Sequence, residues 1–451
     1  MAPVERIEEA IANGVRAGGI VATMWQAVHE LLANSIDAGA VSVEIKLDIP
    51  CYRFSVSDNG HGIPADKLRD LVGTQRATSK AECSQEMQPG CSYGFRGEAL
   101  LSLGLTSLLE IQSRCEGRDA RGKAREGAIV VREGQTLHFG PATAPARTGT
   151  IVTVRDAFFK WPVRRKAINE ATEMLRIKEQ VARMALVNNS VSITVVDSAK
   201  SKTVLRAVAS GSVIRAFSQV FASDKLSMAQ KIAFEFKQFR ITGYLSPPSS
   251  TACHWSKEFQ ILYVNRRCVR RLDFLHKTIN AAFAPCLALL AGRGGSDGQG
   301  IVRRVRDPNA SSGQRQELFP VFVLNIECRR GEVDVMADPD KTLVEFCDWP
   351  SARNAPVALL LAFLPRFPHA VPSTVLRDLR RAFHKNEGEE KWTVASPPAP
   401  ITRAERNSPE PFSPPPPTPS PMRLAMPDVG VPSPLYGCDN WMGRDRNSGG
   451  I

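Results

Sequence analysis

Apolar and polar residues near the start of the chain alternate with a helical period. A buried stripe is predicted from residues at helical spacing, namely Val21, Trp25, Val28 and Leu32. We therefore expect an amphipathic helix over Ile20 to Ala38. At about 100° per residue, Glu30 and Asn34 fall on its polar side, one turn apart.

Period-two alternation predicts short strands around this helix. The predicted inward rows are Val41, Val43, Ile45 and Leu47; then Tyr52, Phe54 and Val56 after a turn at Pro50; and later Thr150, Val152 and Val154. The second row places Asp58 on the same apolar side. A helix over residues 170–190 and a strand over Val191–Val196 complete a first unit, residues 1–212.

A second unit is predicted over residues 213–370. It contains strands at Gln260–Val264 and Val321–Ile326, with a helix near Leu272–Ala284. Residues 292–315 are rich in Gly, Ser, Arg and Asn, and we expect a mobile insertion there. Residues 386–451 hold 14 of the 32 prolines, which predicts an extended, disordered tail or linker.

Composition narrows the class of partner. The net charge is +12 and the isoelectric point is near 9.3, which favours an anionic partner such as nucleic acid. Ten cysteines without any C-x-x-C indicate a reducing compartment rather than a zinc or disulfide framework. We expect neither a signal peptide nor a membrane span, because the start lacks an apolar run and no run approaches eighteen apolar residues.

Three polar residues are candidates for chemistry on a bound nucleotide. Glu30 could deprotonate a water, and the Asn34 amide oxygen could ligate Mg²⁺. A solvated helix face is the alternative for this pair. Asp58 ends a core-facing row, where a carboxylate is costly without a partner, and the exocyclic amine of adenine would serve. Gly60 and Gly62 would allow close approach of the backbone, although simple turns and calcium-like loops also look like D-x-G-x-G.

A glycine pair before an apolar helix is a second candidate element. Gly94, Phe95, Arg96 and Gly97 would present backbone N–H groups to phosphate, with simple packing as the alternative. Further phosphate contacts could come from Thr78, Ser79 and Lys80, and the Thr150 hydroxyl opens a nearby strand. The segment Ala81 to Ser92, between Lys80 and Gly94, is polar and turn-rich, as expected of a lid. No G-x-x-x-x-G-K-[ST] occurs, so a P-loop mechanism is excluded.

Five motifs in order carry a family resemblance. They are E-x-x-x-N-S-x-D-A, D-N-G-x-G-I, A-T-S-K, G-F-R-G-E-A-L and G-T-x-V-x-V-x-x-x-F-x-x-x-P-x-R-R-K. Together they resemble the MutL family of mismatch-repair ATPases, within the gyrase, heat-shock-chaperone, histidine-kinase and MutL superfamily. The resemblance runs from about Ile7 to Phe346. It implies an α+β chain: a Bergerat-type ATP-binding α/β sandwich, a smaller transducer domain with a left-handed β-α-β crossover, and a disordered tail.

The second unit adds two motifs of its own. Tyr263–Arg267 resembles the family's V-N-x-R segment, and Asp334–Lys341 resembles its D-V-x-x-x-P-x-K segment. In the family that lysine reaches the terminal phosphate, so the resemblance makes Lys341 an ATP contact. Arg266 replaces a usual glycine, and Asp338 replaces a usual histidine.

These departures resemble the eukaryotic third MutL homologue. That subtype implies a nuclear protein in mismatch repair and meiotic crossover formation, with MutS-type mismatch sensors and the first MutL homologue as partners. It also implies a C-terminal metal-dependent nuclease and dimerisation region. No D-Q-H-A-type or C-x-H motif follows the proline-rich segment, so we expect a fragment or truncated product with ATPase but no nuclease activity.

Basic clusters are candidates for contacts with double-stranded DNA. The tentative set is Arg164, Arg165, Lys166, Arg266 and Arg267, with solvated surface as the alternative. We therefore expect an ATP-gated DNA clamp that uses ATP and Mg²⁺. The alternative is a nucleotide-binding scaffold that never hydrolyses ATP and recruits repair partners. A topoisomerase subunit or chaperone is disfavoured by the context of G-F-R-G-E-A-L.

Overall fold

Two mixed β-sheets with packed helices form the protein in this computed structural model, which describes residues 19, 21–72, 99–118, 124–143, 147–270, 272–293, 317–334 and 344–387. The first sheet contains β1 (Ser42–Asp48), β2 (Arg53–Asp58), β3 (Leu108–Arg118), β4 (Ala124–Arg132), β5 (Gln135–Gly140), β6 (Gly149–Arg155), β7 (Ser192–Asp197) and β8 (Lys202–Ala207). Their order is β5-β4-β3-β6-β2-β1-β7-β8. Only β1 and β7 pair in parallel; the other neighbours in this sheet are antiparallel.

Helices cover this sheet and bury its apolar rows. They are α1 (Met24–Asp37), α2 (Ala65–Val72), α3 (Ala99–Thr106), α4 (Pro162–Ala167), α5 (Glu170–Val187) and α6 (Val213–Phe221). The helix α1 begins after Thr23, whose side chain accepts from the Gln26 N–H while the Gln26 side chain accepts from the Thr23 N–H. Its apolar face joins the inward residues of β1 and β2 in one core.

The second sheet lies between two groups of buried residues. It contains β9 (Gln230–Phe236), β10 (Phe239–Leu245), β11 (Gln260–Val264), β12 (Arg267–Cys268) and β13 (Phe322–Glu327), in the order β12-β11-β13-β10-β9. Strands β11 and β13 are parallel and adjacent, and α7 (Asp273–Arg293) lies between them in the chain. This arrangement confirms the predicted β-α-β unit. Nearly every residue of β10, β11 and β13 is buried, as expected of strands covered on both faces.

Further short elements complete the described chain. They are α8 (Trp349–Phe363), α9 (Ser373–Glu387), the ribbon of β14 (Val333–Asp334) and β15 (Glu345–Phe346), and 3-10 turns at Lys225–Met228, Lys257–Phe259, Arg330–Glu332 and Leu364–Arg366. One face of the second sheet packs with α7, α8 and α9. The other face packs with α5 and α6, where Val187, Phe217 and Tyr263 belong to one buried cluster. All described residues belong to one compact unit, so the predicted boundary at residue 212 stays a prediction.

Most predicted elements are present, with two local corrections. Val41 was expected in the inward row, yet it precedes β1 and is 61% exposed. The helix predicted to end near Ala284 continues through Pro285 to Arg293, because buried Phe283 and Cys286 keep its inner face in the core. Within the described ranges, no helix is both long and apolar enough to cross a membrane. Most of the predicted insertion and almost all of the tail lie outside the described residues.

Candidate nucleotide site

The polar side of α1 is where the candidate chemistry lies. Glu30 and Asn34 are both half-buried, while Val28 and Leu32 on the other side are buried. The helix therefore presents the two polar residues as the sequence predicted. Their side chains are neither fully solvated nor enclosed, which suits groups that meet a ligand at a site edge.

Asp58 connects β2 to this helix. Its Oδ2 accepts from the Ser35 hydroxyl at 2.9 Å, and its Oδ1 accepts from the Gly60 N–H at 2.9 Å. Burial raises the pKa of the Asp58 carboxyl, while the bonds from Gly60, Ser35 and the Thr150 backbone oppose that rise. The predicted placement of Asp58 on the core-facing side is confirmed. The buried carboxylate needs hydrogen-bond donors, and Ser35 supplies one of them from within the protein.

The loop after Asp58 is held against the C-terminal end of α1. The His61 N–H donates to the Ala38 carbonyl at 3.0 Å. A side chain at Gly60 would meet that same carbonyl oxygen at 2.7 Å, so only glycine fits this approach. The Asn59 side-chain oxygen accepts from the N–H groups of Val41 and Ser42 and so fixes the start of β1.

Gly62 and Gly149 complete the close approaches around Asp58. Gly62 has φ +76°, and a side chain there would meet the Arg114 carbonyl oxygen at 2.2 Å. Gly149 has φ +145°, and a side chain there would meet the Asp58 carbonyl oxygen at 2.1 Å. The two glycines let β2, β3 and β6 converge, which brings Thr150 opposite Asp58 in the sheet.

Thr150 is buried and belongs to a hydroxyl cluster. Its Oγ1 lies 2.8 Å from the Ser113 Oγ, which in turn lies 3.1 Å from the Gly149 carbonyl oxygen. Ser113 also accepts from the Ile63 N–H at 2.7 Å. The cluster therefore ties the glycine loop to the strand that carries Thr150.

Two site residues escaped the sequence interpretation. Ser35 lies inside a helix, where its hydroxyl also contacts the Leu31 carbonyl at 3.1 Å, and Ser113 lies in the interior of β3. A serine is small enough to appear as filler in an apolar pattern. Its position on the buried face is the feature that could have revealed it, because a buried hydroxyl needs partners.

The other predicted nucleotide contacts lie outside the described residues. They are Thr78, Ser79, Lys80, Gly94, Phe95, Arg96, Gly97 and Lys341. Among the residues that are described, no cluster of three or more His, Cys, Asp or Glu could hold a metal ion. The predicted Mg²⁺ site does not need such a cluster, because Mg²⁺ keeps several waters and takes few protein ligands. The amide oxygen of Asn34 is of the kind that suits it.

Glu173 positions the helix that carries these residues. It lies in the first turn of α5 and is 5% exposed, and its Oε1 accepts from the Trp25 N–H at 2.8 Å. Burial raises the pKa of this carboxyl, and backbone bonds from Trp25 and Met24 together with Arg176 oppose the rise. The carboxylate thus accepts from a backbone N–H at the N-terminal end of α1, where helical partners are lacking and an anion is favoured.

Two of the three predicted DNA contacts after β6 have partners within the protein. The Arg165 Nε donates to the Ala157 carbonyl at 2.9 Å, and its guanidinium lies 4.2 Å from the centre of the Tyr52 ring. Arg164 lies over the Trp161 ring at 5.0 Å. Lys166 is exposed. Arg165 therefore has contacts that stabilise the fold, whereas Lys166 faces solvent.

Arg266 is also used inside the fold. Its guanidinium donates to the Val187 carbonyl at 2.9 Å and to the Asn188 Oδ1 at 3.3 Å, at the C-terminal end of α5. Arg267 begins β12 and is half-buried. The turn between β11 and β12 has left-handed backbone conformations, with φ +47° at Asn265 and +67° at Arg266, where glycine is usual. A guanidinium bonded to a helix end is a structural role, which weakens the DNA hypothesis for Arg266.

Comparisons with known proteins identify relatives of this chain. Residues 22–132 match the family described as histidine kinase-, DNA gyrase B- and HSP90-like ATPase. The DNA mismatch repair protein Mlh3 of Homo sapiens is 30% identical over 74% of this chain and 22% of its own length. The DNA mismatch repair protein MutL of Bartonella quintana is 30% identical over 76% of this chain and 50% of its own.

A solved structure has the same fold. The crystal structure of the N-terminal domain of a DNA repair protein aligns with a TM-score of 0.60 at 22% identity, covering 80% of this chain and all of that one. The chain spans about half the length of the bacterial relative and less of the human one. With the superfamily match over the α1 and Asp58 region and the MutL-type relatives over three quarters of its length, the chain belongs to the MutL family.

Proposed function

We propose that this chain binds and slowly hydrolyses ATP as the N-terminal part of a MutL-type DNA mismatch-repair protein. The observation that carries the proposal is the link between Ser35 and Asp58, 2.9 Å between hydroxyl and carboxylate oxygen. This bond supports the proposal because it holds the Asp58 carboxylate, which could accept an amine, beside the helix that bears Glu30 and Asn34. In this proposal the base-reading carboxylate at the end of β2 and the hydrolytic carboxylate on α1 belong to one site.

Each described residue then has a definite task. Asp58 accepts the exocyclic amine of adenine, and Gly60 and Gly62 let the backbone come close to the base. Glu30 orients a water and takes its proton. Asn34 would hold Mg²⁺, which would neutralise charge on the phosphates when bound.

The remaining contacts of the proposal are supported by the resemblance. Thr78, Ser79, Lys80 and the Gly94–Gly97 segment would close over the phosphates as a lid, and Lys341 would contact the terminal phosphate. Turnover would be slow, because conformational steps rather than chemistry would limit it.

The proposal extends to the whole protein by its relatives. We infer an ATP-gated clamp that contacts double-stranded DNA, pairs with the first MutL homologue and acts with MutS-type sensors in the nucleus. Relatives with names of the Mlh3 type support the subtype and, through it, the role in meiotic crossover formation. The net charge of +12 supports an anionic partner.

Magnesium-dependent ATP hydrolysis by the purified chain tests the proposal, with Glu30→Gln and Asp58→Asn beside it. Glu30→Gln is expected to bind ATP but to lose turnover by about 100-fold or more. Asp58→Asn is expected to lose ATP binding, because the amide presents donors to an amine. Glu44→Gln is the matched control, since Glu44 is a surface residue paired with Lys46.

Three outcomes separate the hypotheses. Slow turnover that Glu30→Gln abolishes and Glu44→Gln preserves supports the ATPase. Tight ATP binding without turnover in any variant supports the non-hydrolysing scaffold. Failure of the wild-type chain to bind ATP at all contradicts both.

A further inference from the structure

The hydroxyl of Ser113 lies at the centre of a buried hydrogen-bond cluster. Ser113 is 0% exposed and Thr150 is 6% exposed. Three partners surround the Ser113 oxygen: the Ile63 N–H at 2.7 Å, the Thr150 hydroxyl at 2.8 Å and the Gly149 carbonyl at 3.1 Å. A serine hydroxyl offers one proton and two lone pairs, so three partners use its full capacity.

The direction of each bond follows from the chemistry of the partners. The Ile63 N–H can only donate, and the Gly149 carbonyl can only accept. Ser113 therefore gives its single proton to Gly149, and its remaining lone pair is left for Thr150. All three contacts are satisfied together only when the Thr150 hydroxyl donates to Ser113. Thr150 then has lone pairs, and no proton, to offer in any other direction.

We propose that Ser113 is a positioning residue that sets the Thr150 hydroxyl as an acceptor and so makes the site select a nucleotide whose base carries an exocyclic amine. This inference rests on the proposed function. Thr150 is paired with Asp58 across β2 and β6, and the Asp58 carboxylate also only accepts. Two acceptors side by side favour the adenine amine and oppose the guanine carbonyl at the same position of the ring.

Ser113 acts through two attachments at once. The bond from the Ile63 N–H holds the segment that follows Gly62, and the bond from Thr150 orients the hydroxyl. Removing the serine oxygen frees the Thr150 proton, which could then be donated to a carbonyl on the base. The selectivity between bases should therefore change more than the rate for a bound nucleotide.

The test is the ratio of the affinities for ATP and GTP, with kcat and KM for ATP, in the wild type and in Ser113→Ala. We expect the preference for ATP to fall by about tenfold, the magnitude of one hydrogen bond. We expect the change mainly in KM. Ser107→Ala is the matched control, because Ser107 is equally buried and its hydroxyl donates to the Leu103 carbonyl at 2.6 Å. Ser107 lies just before β3, whereas Ser113 lies in the interior of that strand.

A second variant covers a failure of Ser113→Ala to fold. Thr150→Val removes the acceptor directly and should lower the preference for ATP by a similar factor. In the Thr150→Val background, Ser113→Ala should change the preference no further, because its effect passes through Thr150. A preference unchanged by both single substitutions overturns the inference, as does a full additional loss in the double variant. Wild-type chain that binds neither nucleotide overturns the proposed function instead.

Discussion

The Oε1 of Glu173 in α5 accepts a hydrogen bond from the Trp25 N–H in α1 at 2.8 Å. A buried carboxylate from one helix therefore closes the N-terminal end of another, the helix that carries Glu30. Two opposing effects act on it. The helix end favours the anion, while burial penalises it, and burial has the larger effect on its pKa.

This opposition predicts a pH-dependent stability. The pKa of Glu173 is raised in the folded state, so the folded state binds its proton more tightly than the unfolded state does. Its contribution to stability is full below the unfolded pKa and is lost as pH rises through the folded pKa. Glu173→Gln keeps an oxygen that accepts from Trp25 but cannot ionise. Relative to the wild type, the variant should therefore gain stability as pH rises across that window.

Thermal unfolding of both proteins at several values between about pH 4 and pH 8 measures this difference. Glu170→Gln is the control, since Glu170 lies in the same first turn but its side chain is 40% exposed and paired with Lys200. A difference between Glu173→Gln and wild type that stays constant with pH would contradict the prediction.

Arg165 and Lys166 are adjacent but should respond differently to substitution. Arg165→Ala loses a hydrogen bond to Ala157, an ion pair with Asp156 and a ring contact with Tyr52, and should cost about 1–3 kcal/mol of folding stability. Lys166→Ala should leave stability within about 0.5 kcal/mol. If Lys166 contacts DNA, its loss should lower the salt dependence of duplex binding by about one phosphate contact.

Chemical denaturation and duplex binding at several salt concentrations measure the two effects. Equal stability losses for the two variants would disprove the structural assignment of Arg165. An unchanged salt dependence in Lys166→Ala would remove Lys166 from the DNA surface.

Arg266 combines an unfavourable backbone conformation with favourable side-chain contacts. Arg266→Ala loses the bonds to Val187 and Asn188 but keeps a side chain at φ +67°. Arg266→Gly loses the same bonds and relieves the backbone. We expect alanine to be less stable than glycine by about 1 kcal/mol, and both to be less stable than the wild type. Denaturation of the three proteins decides this, and alanine as stable as arginine would refute it.

Gly62 and Gly39 offer a matched test of close packing at the site. Their φ angles are nearly equal, +76° and +72°, but a side chain at Gly62 would meet the Arg114 carbonyl and one at Gly39 would meet nothing within 4 Å. Gly39→Ala should cost only the backbone strain, about 1–2 kcal/mol. Gly62→Ala should cost more and should also weaken nucleotide binding, because the loop must shift. Equal losses of stability and unaltered binding would contradict this.

The strongest parts of the sequence interpretation were the periodic ones. The helix α1 and the strand pairs around Asp58 repeat over several residues, so their inward faces could be read directly. Val41 shows the limit, since it continues the apolar row of β1 but lies one residue before the strand begins. Its backbone is bonded to the Asn59 side chain, and no local pattern reveals such a distant partner.

The polar contacts between elements could not be predicted. Ser113, Ser35 and Glu173 each have partners far away along the chain, and the partner decides the role. Arg266 is the clearest case. As a sequence it belongs to a basic cluster, whereas in the fold its charge meets the carbonyl end of a helix.

Both ends of α5 are hydrogen-bonded to other elements. Glu173 holds the first turn to α1, and Arg266 together with the Tyr263 hydroxyl, 2.6 Å from the Arg183 carbonyl, holds the last turns to the second sheet. Its 18 residues form a rod about 27 Å long. A stiff helix that is bonded at both ends transmits a displacement from one attachment to the other. Any sliding of the β11–β12 hairpin along the rod's axis must either move the start of the Glu30 helix or break one of these bonds.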